Sequence, residues 1–155
     1  MFSDSTAGGA ATPRTGSSGE ALRLLVVDEN PRDRALIVES LRAGFPGCRL
    51  VEIEDPSSIL SLIDAAPFDV VVTDHRPSWI DAFHLLGRIR EKSLDVPVLL
   101  CTGTGSEELA VAAMKAGFDD YVLKHPHHFP RLVPAIRLRV DSSRAERIAG
   151  TRRGK

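Results

Sequence analysis

Residues 22–30 read LRLLVVDEN, and this stretch decides the fold: four apolar residues, Leu24 to Val27, run straight into Asp28, Glu29 and Asn30. Such a run has the make-up of a strand covered on both faces, the kind found inside a parallel sheet. A buried carboxylate without a partner costs several kcal/mol. Two acids carried to the very end of a buried strand therefore need a partner or a task. Asn30 suits a helix N-cap and Pro31 a first helical position, so the acids lie in a strand-to-helix turn.

The same pattern recurs downstream. Short apolar runs at Leu50 to Ile53, Val70 to Thr73, Val98 to Cys101 and Tyr121 to Leu123 read as further strands, giving five. Helix-period segments separate them. The first runs from Pro31 to about Ala43, followed by SSILSLIDAA (57–66) and IDAFHLLGRIREK (80–92). EELAVAAMKAG (107–117) places Leu109, Ala110, Ala113 and Met114 on one apolar face, with Gly117 as terminator. FPRLVPAIRLRV (129–140) reads as a last helix with Pro130 and Pro134 near its first turn. Alternating βα units with right-handed crossovers predict an α/β fold: a parallel sheet between two helical layers.

Composition bounds the function. Among 155 residues, 43% are hydrophobic, which suits one sizeable core, and 20 Lys and Arg against 21 Asp and Glu give a net charge of -1. No global field draws such a chain to nucleic acid or a membrane. Cys48 and Cys101 lack metal-ligand or redox spacing and read as small buried side chains in a reducing cytoplasm. Residues 1–20, rich in Ser, Thr, Gly and Ala, read as a disordered tail. No apolar stretch suggests a membrane span or a signal peptide.

In a doubly wound sheet, ligands bind at the carboxyl ends of the strands, where strand order reverses. Asp28 and Glu29 close the first strand and Asp74 closes the third, in FDVVVTDHRP (68–77). Three acids in one crevice call for a cation, and a hard divalent ion such as Mg²⁺ takes carboxylates, carbonyls, waters and phosphate oxygens. Thr102 follows the fourth strand and Lys124 the fifth. Acids, a hydroxyl and an ammonium together are the parts that hold a phosphoryl group during transfer.

These residues, with LLVVDEN, FDVVVTD and PVLLCTGTGSEELAVAAMKAGFDDYVLK in that order, resemble the receiver domain of bacterial two-component response regulators from about Leu22 to Val140. The resemblance implies a flavodoxin-like, doubly wound five-stranded sheet of order 2-1-3-4-5. It implies that Asp74 is the phosphoacceptor, that Asp28, Glu29, Asp74 and the carbonyl of Arg76 form the Mg²⁺ site, that Lys124 contacts the phosphoryl group, and that Thr102 and Tyr121 are a switch pair. The chain is then a signalling switch rather than an enzyme. Its expected partners are a histidine kinase or phosphotransfer protein and a downstream protein target. A receiver unit is expected over 21–141, with a basic tail or helix extension over 142–155 that lacks the aromatics and the length of a nucleic-acid-binding element. With no output domain after Val140, a stand-alone receiver is expected.

Several positions depart from the family pattern. Ala82 stands where a glycine is common, Pro77 lies one place early, and His125 separates Lys124 from Pro126, so a trans bond and a displaced lysine are expected. His125, His127 and His128 lie in a Pro-punctuated loop without a carboxylate or cysteine at ligand spacing, and read as surface residues. GTGSEE (103–108) lacks the lysine of a phosphate-binding loop and reads as a turn into a helix. Two other readings are a binding module that works without phosphorylation and a flavin carrier. The intact set of reactive residues opposes the first, and the acidic turn after the first strand opposes the second.

Overall fold

The computed structural model describes residues 21–53, 59–65, 67–75, 81–92 and 95–152, with backbone alone at 60, 64, 65, 147 and 150–152. The stretch 1–20, Arg76 and Pro77 lie outside the described residues. Strands and helices alternate as β1 (Arg23–Val27), α1 (Pro31–Gly44), β2 (Arg49–Ile53), α2 (Ile59–Ala65), β3 (Val70–Thr73), α3 (Ala82–Lys92), β4 (Val98–Thr102), α4 (Glu107–Ala116), β5 (Asp120–Leu123) and α5 (Leu132–Arg152). A 3₁₀ turn, Phe129–Arg131, leads into α5. The strands form one parallel sheet in the order β2-β1-β3-β4-β5.

Period-two alternation along each strand divides the core between two faces. Leu24, Val26, Val72, Leu99 and Val122 face one layer with Ile37, Leu41, Ile136 and Val140 of α1 and α5. Leu25, Val27, Val71, Val98 and Leu100 face the other with Ile59, Leu85, Ile89 and Ala113 of α2, α3 and α4. Cys48 and Cys101 are buried in this core as thiols, neither of them in a disulfide. Burial pushes both thiols up, Cys101 to about 12, so both are poor nucleophiles at neutral pH.

Helix ends follow local chemistry. The Asn30 side chain accepts hydrogen bonds from the N–H groups of Arg32 (2.9 Å) and Asp33 (3.1 Å), and so caps α1. Ser106 caps α4 by accepting from Leu109 N–H at 3.0 Å. Gly117 ends α4 at φ 111°, a left-handed conformation that needs glycine. The expected apolar face of α4 is only partly correct: Ala113 is buried, whereas Met114 is 49% exposed. The core-facing row is Leu109, partly buried, and Ala113, spaced four apart, and Met114 lies about 100° further round the helix. Pro130 falls in the 3₁₀ turn and Pro134 in the first turn of α5, where a missing N–H leaves no helix bond unmade. The helix α5 continues unbroken past Asp141 to Arg152. No helix among the described residues is long and apolar enough to cross a membrane.

At the amino edge of the sheet two acids tie down strand starts. Asp69 accepts from Arg23 N–H at 2.8 Å. Asp119 accepts from Val98 N–H at 2.8 Å and from the Arg90 guanidinium at 3.1 Å. At the opposite edge β1 and β3 are hydrogen-bonded neighbours with Val27 opposite Thr73. Strand order reverses there, and Asp28 and Asp74 leave the sheet side by side.

Candidate functional site

Backbone pairing aligns the two acids. The Asp74 N–H donates to the Val27 carbonyl at 2.9 Å, extending the β1–β3 ladder by one rung before the strands part. The last rung of β4 and β5 sets the cation: Lys124 N–H donates to the Thr102 carbonyl at 2.8 Å, and the side chain turns back across the strand ends. Its ammonium reaches Asp28 Oδ2 at 2.6 Å, Asp33 Oδ2 at 3.0 Å and Asp74 Oδ1 at 3.5 Å. Peptide bonds among the described residues are all trans, the Lys124–His125 bond included. The expected displacement of the lysine is therefore corrected: the side chain is long enough to deliver its ammonium to the acids through a trans bond.

Burial grades this cluster. Asp28 is 0% exposed and Lys124 10%, while Asp74 is 20% and Asp33 35% exposed. Burial pushes the Asp28 carboxyl above its ordinary value, and the charge of Asp74 adds to that; the hydrogen bond and charge of Lys124 and the Asn30 N–H pull it back. For Lys124 burial acts against the ammonium, but Asp28, Asp33 and Asp74 together outweigh it and raise its pKa. The two shifts describe one ion pair from its two ends. Lys124 stays charged, and Asp28 carries the desolvation cost. Three carboxylates facing one ammonium leave the pocket negative, which suits a further cation.

The structure thus gathers Asp28, Asp74 and Lys124. The third acid on the lysine is Asp33, not Glu29, which is exposed beside Asp28. No group of three or more His, Cys, Asp or Glu side chains stands ready as a metal-ligand cluster among the described residues. Thr102 is buried at the end of β4, and its hydroxyl accepts from Thr104 N–H at 3.3 Å within its own loop. Tyr121 is partly buried and its hydroxyl is shielded from water without a hydrogen-bond partner. Gly105 lies directly over it, and a Cβ there would overlap the Tyr121 hydroxyl and Leu123 Cδ2. An unpaired buried hydroxyl costs about 1–3 kcal/mol, so this ring gains by moving to a place where its hydroxyl is solvated or bonded.

Two functional residues escape a reading of the sequence. Asp33 sits in the first turn of α1, where an acid reads simply as a complement to the helix dipole. Arg34, almost buried, donates to the Asp28 carbonyl at 2.7 Å and to Glu52 Oε1 at 3.1 Å, so it fixes the turn that carries Asp28. His125, His127 and His128 are exposed in the turn after β5, where His125 stacks on His127 at 5.2 Å. Beside them a groove of about 330 Å³ is lined by Asp33, Leu36, Lys124, His125, Pro126 and Phe129, among others.

Comparison with known proteins supplies a family for this geometry. The model of the response regulator receiver domain matches residues 24–137. Transcriptional regulatory protein TcrA of Mycobacterium tuberculosis is 29% identical over 116 residues, covering 75% of this chain and 45% of that protein. The chain thus spans less than half the length of that relative. The receiver domain of a Vibrio parahaemolyticus LuxO repressor protein superposes with TM-score 0.74 at 18% identity, over 84% of this chain and 98% of that one. A Burkholderia pseudomallei response regulator, solved with a phosphorylated aspartic acid and a calcium ion, superposes with TM-score 0.65 at 23% identity, over 81% of this chain and 72% of that one. With the family model spanning most of the sheet and its helices, the chain belongs to the receiver-domain family of two-component response regulators.

Proposed function

We propose that this chain is a phosphoacceptor switch in which Asp74 takes a phosphoryl group from a phosphohistidine on a kinase or phosphotransfer protein. The observation that carries this reading is the placement of Asp74 beside Asp28, both around the Lys124 ammonium, where strand order reverses. A carboxylate oxygen of Asp74 attacks phosphorus, the N–P bond breaks as the O–P bond forms, and the departing imidazole nitrogen keeps the electron pair. Lys124 neutralises charge on the transferred oxygens, and its distance of 3.5 Å from Asp74 Oδ1 leaves it close enough to follow them.

The residues present fit Mg²⁺. Lys124 already stands in for a cation among carboxylate oxygens, and a hard ion needs only one or two carboxylates with waters and phosphate oxygens. Asp28 and Asp74 would hold it, with Glu29 and the Arg76 carbonyl as further ligands. When bound, the ion supplies charge neutralisation for the pentacoordinate phosphorus.

Readout then follows from the protein. New acceptor oxygens on Asp74 compete with the Thr104 carbonyl, to which the Thr102 hydroxyl donates at 3.5 Å, Thr102 moves, and the Tyr121 ring has an unpaired hydroxyl to drive its turn. The exposed Val111 and Met114 on α4 offer a downstream protein an apolar contact. The receiver unit is read as 21–141, acting in the reducing cytoplasm that suits its two buried thiols, with the rest of α5 as a helix extension. The test is intact-mass analysis after incubation with acetyl phosphate: one phosphoryl mass with Mg²⁺ and none with chelator. Equal labelling in both rejects the Mg²⁺-dependent reading, and none in either leaves a binding module that works without phosphorylation.

A further inference from the structure

Lys124 has three N–H donors, and their placement is uneven. Its two hydrogen bonds go to Asp28 at 2.6 Å and Asp33 at 3.0 Å, while Asp74, at 3.5 Å, is reached by charge alone. Asp33 is the outermost of the three acids, and its backbone N–H is tied to Asn30, so its carboxylate is held over the lysine from the first turn of α1. It also borders the groove beside the site.

From this geometry we propose that Asp33 is a positioning residue for Lys124, one that draws the ammonium away from Asp74 and so sets how readily the site takes metal and phosphoryl group. The inference rests on the phosphoacceptor reading of Asp74. Two consequences of opposite sign follow. With Asp33 charged, Lys124 is kept partly off Asp74, a carboxylate that a divalent cation needs, so metal binding is favoured. The same pull holds the ammonium back from the incoming phosphoryl oxygens, so transfer is slowed. Loss of a negative charge alone would also disfavour the cation and favour the anionic donor, so the part that Lys124 carries is the part that disappears in its absence.

The experiment compares native protein with Asp33→Asn and Asp33→Glu, each also in a Lys124→Met background, with melting temperatures recorded to confirm folding. Mg²⁺ affinity is measured by calorimetry, and the acetyl phosphate reaction at saturating Mg²⁺ by intact mass. Asp33→Asn is expected to weaken Mg²⁺ binding about twofold to fivefold and to speed phosphoryl uptake about threefold to tenfold. Asp33→Glu is expected to restore both towards native values. In Lys124→Met the gain in uptake must vanish, because the lysine transmits it. If Lys124→Met takes up no phosphoryl group, the cycle is read on Mg²⁺ affinity, where the loss caused by Asp33→Asn must be smaller than in the native background. Uptake unchanged or slowed in Asp33→Asn overturns the proposal, as does an effect of equal size with and without Lys124. Native protein that takes up nothing defeats the reading of Asp74 itself, whereas native uptake matched by Asp33→Asn defeats only the role of Asp33.

Discussion

The two edges of this sheet use the same side chain for opposite ends. At the amino edge Asp69 and Asp119 each accept from a strand N–H at 2.8 Å, and Asp119 also binds Arg90, which itself donates to the carbonyls of Val96 and Gly117. Each of these acids pins the start of a strand, and among the described residues neither shares its donor with another acid. At the carboxyl edge Asp28, Asp33 and Asp74 share one ammonium. Satisfied acids hold a fold together, and acids in excess of their partners leave capacity for a ligand. An aspartate at a strand end says little by itself; the gathering of several acids on one cation tells the two edges apart.

The largest expected effect comes from a residue that crosses this division. Arg34 belongs to the carboxyl edge yet is paired as the amino-edge acids are, through Glu52 and the Asp28 carbonyl. Arg34→Met leaves a partly buried Glu52 carboxylate without that partner and the Asp28 carbonyl without its donor, and should cost about 3 kcal/mol of stability by urea denaturation. Adding Glu52→Gln should recover part of the loss. If Arg34→Met is neutral, the turn that carries Asp28 is held by other means.

Asp119→Ala sharpens the contrast from the other side. It removes the acceptor for Val98 N–H and for Arg90, and should cost about 2 kcal/mol while leaving the rate of phosphoryl uptake unchanged. Asp74→Asn should do the reverse. It removes the acid with the longest contact to Lys124 and relieves like-charge repulsion, so the metal-free melting temperature should rise by about 2–4 °C. Mg²⁺ at millimolar concentration should stabilise native protein and leave Asp74→Asn nearly unmoved.

The smallest effect is a pH slope. Because burial raises the Asp28 carboxyl, the folded protein holds that proton more tightly than the unfolded chain does. Its contribution to stability is present below the ordinary aspartate value and is lost as pH rises through the raised one. Subtracting the melting curve of Asp28→Asn from that of native protein over about pH 4 to 7 isolates this contribution. The difference should decline with rising pH in chelator and flatten in Mg²⁺, which favours the ionised carboxylate. A difference that is flat in chelator would show that Lys124 fully offsets burial.

The architecture was legible because parallel strands buried on both faces must be apolar runs, and each run ends in a residue that cannot be buried alone. That is why Asp28, Asp74, Thr102 and Lys124 stand out in sequence, and why the sheet brings the acids and the lysine together. Asp33 and Arg34 do not stand out. They lie inside a helix, where charges are ordinary, and their partners are 91 and 18 residues away in the chain. Only the seating of the segment after β5 beside the first turn of α1 gives Asp33 a lysine. The α4 face was misjudged at Met114 because an alanine-rich helix has too weak an apolar stripe to fix its rotation. The pairing of Tyr121 with Thr102 rested on resemblance alone, since no local pattern marks an aromatic residue for movement.

The central claim, that the excess acids at the carboxyl edge serve phosphoryl transfer to one of them, is tested most directly by locating the phosphoryl group. Native protein loaded from acetyl phosphate in Mg²⁺ is reduced with borohydride, which converts an aspartyl phosphate to homoserine, and is then mapped by peptide mass. Homoserine is predicted at position 74 and nowhere else, with none formed in Asp74→Asn. Homoserine at position 28 or 33, or a phosphoryl mass that survives Asp74→Asn and maps to His125, His127 or His128, would contradict the account.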